Sequence, residues 1–162
     1  MKKLLFSAVS LDIGGIENAL VNLLNYLART DKYEITLFLE KKEGIFLDKI
    51  DKKIQICVYC PNDSKVIILR KGINFIKQTI FKLKYKHKYD FSCAYATYSK
   101  PASFVARTAS KNSCLWVHSE YMQMFDNNKS KYVEFFEGVK AKDFKNIVFV
   151  SELSLIHISE PT

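Results

Sequence analysis

Apolar residues run almost unbroken from Leu4 to Val9 (LLFSAV), the pattern of a strand buried on both faces. Ser10 to Gly15 breaks the run with Asp12 and the pair Gly14-Gly15. From Ile16 the spacing changes, and Ile16, Ala19, Leu20, Leu23, Leu24 and Leu27 share one face of a helix. The alternation then repeats. Tyr33 to Glu40 predicts a second strand, Ile45 to Ile50 a short helical piece, and Lys53 to Tyr59 a third strand stopped by Pro61 and Asn62. From Lys65 the period is helical again, with Leu69, Ile73, Ile76, Ile80 and Leu83 recurring at alternate steps of four and three. That stripe is expected to pack on the sheet, leaving Phe75, Phe81 and the lysines off it and a basic outer surface. Phe91 to Ala96 predicts strand four, Pro101 to Ala109 a helix with proline near its first turn, Asn112 to His118 strand five, Asn127 to Val139 a helical stretch and Ile147 to Val150 strand six.

Strand and helix alternating throughout call for a parallel sheet covered on both faces, with right-handed crossovers. The expected architecture is therefore α/β, a Rossmann-like doubly wound parallel sheet with Leu4 to Val9 central. At 162 residues the chain is one domain in size. No internal repeat or low-complexity linker interrupts it.

Charge changes the picture at one place. Of the 25 basic residues, eight (Lys65, Arg70, Lys71, Lys77, Lys82, Lys84, Lys86, Lys88) fall between Lys65 and Lys88, which holds no Asp or Glu. The rest of the chain balances at 17 basic against 17 acidic residues, so the net charge of +8 belongs to one segment. Nucleic acid is one reading of such a segment, but no recognisable nucleic-acid module accompanies it. A solvated helix face is a second. A third is a surface for anionic lipid, with Phe75, Phe81 and Tyr85 near the boundary and Arg70, Lys71, Lys77, Lys82 and Lys84 as membrane contacts.

No apolar run is long enough for a membrane span or a signal peptide, so the expected location is cytoplasmic. Cys57 and Cys60 form a C-x-x-C, but no second pair or histidine follows at ligand spacing, and Cys57, Cys93 and Cys114 fall in predicted strands. No metal or cofactor is expected.

Two places carry candidate chemistry. A strand, a glycine turn and a helix put the helix N-terminus at the carboxyl edge of the sheet, where unpartnered N–H groups bind anions. Gly14 and Gly15 would let a phosphate approach that backbone, although a tight turn alone also accounts for them. The dinucleotide fingerprint GxGxxG is absent. His118 ends the apolar run Cys114 to Val117, at the same carboxyl edge, where ligands of open parallel sheets bind. Its imidazole suits a sugar hydroxyl or a phosphate oxygen, whereas spacing alone favours a strand-end histidine satisfied locally. Glu120 and Tyr121 follow as candidate acceptor contacts, Ser119 as a turn cap, and Glu17 as a complement to the helix dipole.

Three segments share a resemblance. SLDIGGIENALVNLLNYL resembles the opening of family 4 retaining glycosyltransferases of the GT-B fold, LWVHSEY (Leu115 to Tyr121) resembles their Trp-x-His-Ser-(acidic)-Tyr stretch, and NIVFVSE (Asn146 to Glu152) resembles the strand closing their N-terminal domain. The resemblance spans Met1 to Glu152. It implies the N-terminal, acceptor-side half of an enzyme that moves a sugar from a nucleotide-diphosphate sugar to a glycan or lipid-linked acceptor, as in cell-surface polysaccharide biosynthesis. It further implies Gly14 and Gly15 facing the donor diphosphate, His118 as the catalytic contact, a missing C-terminal half that holds most of the donor, and peripheral attachment to the inner membrane face. The alternative is a stand-alone α/β module that binds a phosphorylated ligand or an anionic membrane without catalysis.

Leu153 to Thr162 (LSLIHISEPT) leaves this pattern and matches the translation of a transposase-adapter oligonucleotide residue for residue. The expected organisation is therefore a domain over 1–152 followed by a sequencing artefact over 153–162.

Overall fold

The computed structural model describes residues 1–150; the domain end expected at 152 and the artefact expected over 153–162 lie outside the described residues. Six strands form one sheet: β1 (Lys2–Ala8), β2 (Tyr33–Leu39), β3 (Gln55–Val58), β4 (Phe91–Ala94), β5 (Ser113–Val117) and β6 (Asn146–Phe149). Their order is β3-β2-β1-β4-β5-β6 and every pairing is parallel. The helices are α1 (Gly15–Arg29), α2 (Ile67–Tyr85), α3 (Lys100–Ala109), α4 (Tyr121–Met124) and α5 (Lys129–Gly138). The doubly wound Rossmann-like sheet expected from the pattern is thus observed, with β1 flanked on both sides and buried over its last five residues.

The pleat sorts alternate residues to opposite faces. Leu4, Phe6 and Ala8 of β1 join Ile35, Leu37 and Leu39 of β2 and Leu20, Val21, Leu24 and Ala28 of α1 in one core cluster. Leu5 and Phe38 face the other way, toward Phe81 of α2 and Val105 and Ala109 of α3. Leu115 and Val117 pack against Ala106, Tyr132 and Phe136. Helix α3 lies close to the sheet because the residues it presents are small: Ala102, Ser103, Ala106 and Ala109 are all buried. Two strand serines complete that contact, Ser7 Oγ donating to the Ala102 carbonyl and Ser92 Oγ to the Ala106 carbonyl, each at 2.7 Å. The helix starts where Ser99 Oγ accepts the Ala102 N–H at 2.9 Å, with a proline in the first turn.

The structure corrects the expectation for α2. The Leu69–Ile76–Ile80–Leu83 side of the helix does not pack on the sheet: these residues are 52%, 57%, 58% and 79% exposed. Phe81, expected off the packed stripe, is the one buried residue of the helix, in ring contact with Phe38, Tyr59, Tyr85 and Phe104. The sheet side of α2 is otherwise held by polar bonds. Asn74 exchanges hydrogen bonds with the Asn62 backbone (2.6 and 3.0 Å), and Lys77 Nζ donates to the Cys60 carbonyl at 2.9 Å. These anchors fix a rotation of the helix that turns its Leu/Ile stripe outward.

Smaller differences sit at element ends. The piece expected over Ile45 to Ile50 is a single 3₁₀ turn, Leu47–Lys49. The stretch from Tyr121 also forms α4, a short helix before α5. All four cysteines are free, with Cys93 and Cys114 paired in register across β4 and β5. Their thiols hydrogen-bond, which together with burial raises Cys93 well above the usual thiol range. Among the described residues, no cluster of His, Cys, Asp and Glu could hold a metal ion, and no helix is long and apolar enough to cross a membrane.

Candidate functional site at the carboxyl edge

The strand order reverses between β1 and β4, the switch point above which ligands of open α/β sheets bind. Three loops meet there, following β1, β4 and β5. The first is tied down from below: Leu11 N–H donates to the Glu43 carbonyl at 2.9 Å and Phe46 N–H to the Leu11 carbonyl at 3.1 Å. This contact depends on Gly44, whose φ is +119° and where a Cβ would fall 2.0 Å from the Leu11 carbonyl carbon. No other residue type fits under the loop. The second loop is stitched to its neighbours by Tyr95 N–H donating to the Ser7 carbonyl at 2.9 Å and by Thr97 Oγ1 donating to the Trp116 carbonyl.

Gly14 and His118 lie on this same edge, as expected. Gly14 is the N-cap of α1 in extended backbone and offers no side-chain cap. In its place Glu17 folds back: a Cβ on Gly14 would sit 2.0 Å from a Glu17 carboxylate oxygen. The carboxylate therefore occupies the positive end of the helix that an incoming anion would use.

His118 belongs to the α1 face of the sheet. Its ring stacks parallel to Trp116 at 6.0 Å and meets Tyr95 at 4.5 Å. Burial pushes its pKa below the ordinary 6.5, opposed by a hydrogen bond to the Tyr95 backbone and by the nearby Glu17 carboxylate. Its Nε2 is shielded from solvent and has no hydrogen-bond partner among the described residues.

The structure brings Glu17, Glu40, Tyr95, Tyr98 and Ser99 to the same edge, and the sequence reading named only the first. Ser99 Oγ donates to the Glu40 carboxylate. Tyr98 is half exposed, and burial followed by the Glu17, Tyr121 and Glu40 charges raises its phenol pKa. The signal was available in YATYS (Tyr95 to Ser99), a polar-aromatic run directly after a strand, at the position where a parallel sheet gathers ligand contacts.

Tyr121 is placed differently from the rest. Its ring is buried, stacked on Phe135 at 4.5 Å and edge-on to Phe136 at 5.8 Å, so it is a core residue whose hydroxyl reaches Thr97. Glu120, at the start of α4, is half-buried and close enough to Tyr132 to add to the burial that pushes that phenol up to about 12.

A cavity of about 340 Å³ opens on the opposite face between α2, α3 and the end of α5. Lys82, Lys100, Arg107 and Lys140 line it and no carboxylate does. Arg107 is paired at its rim with Asp143 at 3.1 Å, while its Nε is buried and unpartnered among the described residues.

An all-parallel sheet of order 3-2-1-4-5-6 is the Rossmann-like unit of which GT-B structures contain two, and this chain matches one such half. The structure it matches is the crystal structure of Anabaena Alr3699/HepE in complex with UDP and glucose, with a TM-score of 0.61 and 17% sequence identity. The match covers 97% of this chain and 40% of HepE. At that identity the likeness concerns the fold. No family model matches the sequence, and no curated protein matches it.

Proposed function

We propose that the chain is the N-terminal, acceptor-side domain of a retaining glycosyltransferase, of the family 4 type, acting on a nucleotide-diphosphate sugar and a glycan or lipid-linked acceptor in cell-surface polysaccharide synthesis. The observation that carries the proposal is the convergence of the Gly14-Gly15 loop and His118 at the switch point of a sheet that matches half of a GT-B structure. That HepE was crystallised with UDP and glucose adds weight to a nucleotide-sugar ligand.

In this reading each group has a chemical task. His118, which hydrogen-bonds the Tyr95 backbone, meets the transferred sugar or the leaving phosphate through Nε2, which has no partner among the described residues. The side chains that shield Nε2 must open for the sugar to reach it. The α1 N-terminus faces the donor diphosphate once Glu17, whose carboxylate lies beside Gly14, swings away. Glu120 lies on the acceptor side. The missing half supplies most of the donor contacts, and closure of both halves makes the water-poor site that transfer needs.

The test is the full-length parent, read from DNA that continues past residue 152. A second Rossmann-like half should follow, and His118→Ala should lower turnover by about 10²-fold or more while the melting temperature changes little. The 162-residue chain alone should transfer no sugar. An immediate stop codon would leave the stand-alone binding module, and an unchanged rate in His118→Ala would return that histidine to a local structural role.

A further inference from the structure

Helix α2 turns its apolar side away from the protein. Ile67, Ile68, Leu69, Phe75, Ile76, Ile80 and Leu83 are all more than half exposed, on a helix with one buried residue. Residues 69, 73, 76, 80 and 83 form a continuous row opposite the Asn74–Phe81–Tyr85 side that holds the helix to the sheet. Arg70 and Lys84 follow one border of this row, with Lys77 between them held to the Cys60 carbonyl, and Lys71 and Lys82 lie beyond the other. Large apolar faces of this kind are uncommon on monomers and mark contact surfaces.

We propose that α2 is an interfacial helix that lies in the headgroup layer of an anionic bilayer, with Leu69, Ile76, Ile80 and Leu83 inserted among the acyl chains and the flanking cations on lipid phosphates. The charge pattern selects this occupant. Eight basic residues and no acidic one lie between Lys65 and Lys88, so pairing this face with a second copy would bring sixteen cations together with no carboxylate from either segment to offset them. A bilayer containing anionic lipid meets both the apolar row and its basic borders. On the Lys82 side the neighbouring cavity adds Lys100, Arg107 and Lys140 to the cationic surface. This differs from a purely basic outer face, which would touch a membrane by attraction alone. It also stands apart from the transferase proposal, since it uses no residue of the carboxyl edge.

The experiment is flotation of the 162-residue chain with vesicles of phosphatidylcholine, with and without phosphatidylglycerol, at about 0.1 M and about 0.5 M salt. Wild type should float with the anionic vesicles and bind them less at the higher salt. Ile76→Ser/Ile80→Ser, at exposed positions that leave the fold intact, should lower the partition coefficient about tenfold or more. Arg70→Glu/Lys71→Glu should lower it about fivefold per charge. In Ile80→Trp, the added indole emission should shift to the blue on vesicle binding. Equal binding by the Ser/Ser variant would overturn insertion. Failure to bind vesicles would overturn the proposal outright, whether the chain stays monomeric or self-associates through Ile76 and Ile80.

Discussion

Replacing Phe81 by alanine separates the two ways α2 could lie on the sheet. The Phe81 ring is 3% exposed and has four aromatic neighbours with centroids 4.9 to 5.6 Å away. Truncating a buried phenylalanine costs about 3–5 kcal/mol, which already includes the lost contacts of aromatic pairs of about 0.5–1.5 kcal/mol each. A groove of about 550 Å³ borders the ring between β3 and α2, lined by Phe38, Cys57, Tyr59, Ile80 and Tyr85. Side chains there can relax into the space, so the lower end, about 3 kcal/mol, is expected. Ile80→Ala and Leu83→Ala remove side chains already in solvent and should each change stability by no more than about 0.5 kcal/mol. Urea unfolding followed by circular dichroism and by Trp116 fluorescence gives all three values. A cost of about 2 kcal/mol or more for Ile80→Ala and Leu83→Ala, with Phe81→Ala near zero, would refute the observed orientation and restore the one that periodicity predicts.

Gly44→Ala should cost at least about 1–3 kcal/mol from backbone strain alone, and shift the amide resonances of Leu11 and Gly14, because the new methyl collides with the Leu11 carbonyl; unchanged stability would mean the loop is not held from below. His118 should titrate below 6.5 by NMR, and Glu17→Gln should lower it further by removing a charge that favours the imidazolium. The sign for stability follows: a depressed histidine pKa means the unfolded chain binds the proton first, so the His118 contribution is complete above about 6.5 and lost as pH falls toward the folded value. Glu17→Gln should also tighten diphosphate binding, by removing the negative charge beside the α1 N-terminus.

Much of the fold was legible because burial on both faces writes itself into the sequence. The run Leu4 to Val9 followed by a glycine turn and a 3.6-residue period could be little other than strand, loop and helix at the centre of a parallel sheet. Strand ends differ by a residue or two, since ladder ends depend on partners across the sheet, as where Tyr95 N–H reaches Ser7. The face of α2 was not legible for a different reason. Periodicity says which residues share a side, and only the neighbours say which way that side points. Here the deciding contacts are the Asn62–Asn74 bonds, the Lys77–Cys60 bond and the aromatic group around Phe81, all made across sequence gaps.

The places of Gly14, Gly15 and His118 on the carboxyl edge were legible from their positions at strand ends. Glu40, Tyr98 and Ser99 were not singled out, since their meeting depends on the order of the strands. Tyr121 reads as a loop residue beside His118, and its place in the core is set by Phe135 and Phe136, which follow in the next helix.

Ligand binding over the β1–β4 switch point is tested by a ¹H–¹⁵N titration of the chain with UDP-glucose. Weak binding is expected, on the order of millimolar, with shifts centred on Gly14, Gly15, Glu17 and the Tyr95–Ser99 loop and a changed His118 side-chain resonance. The alternative place for a diphosphate is the basic cavity on the opposite face. Shifts centred on Lys82, Lys100, Arg107 and Lys140, with the carboxyl edge silent, would contradict the account.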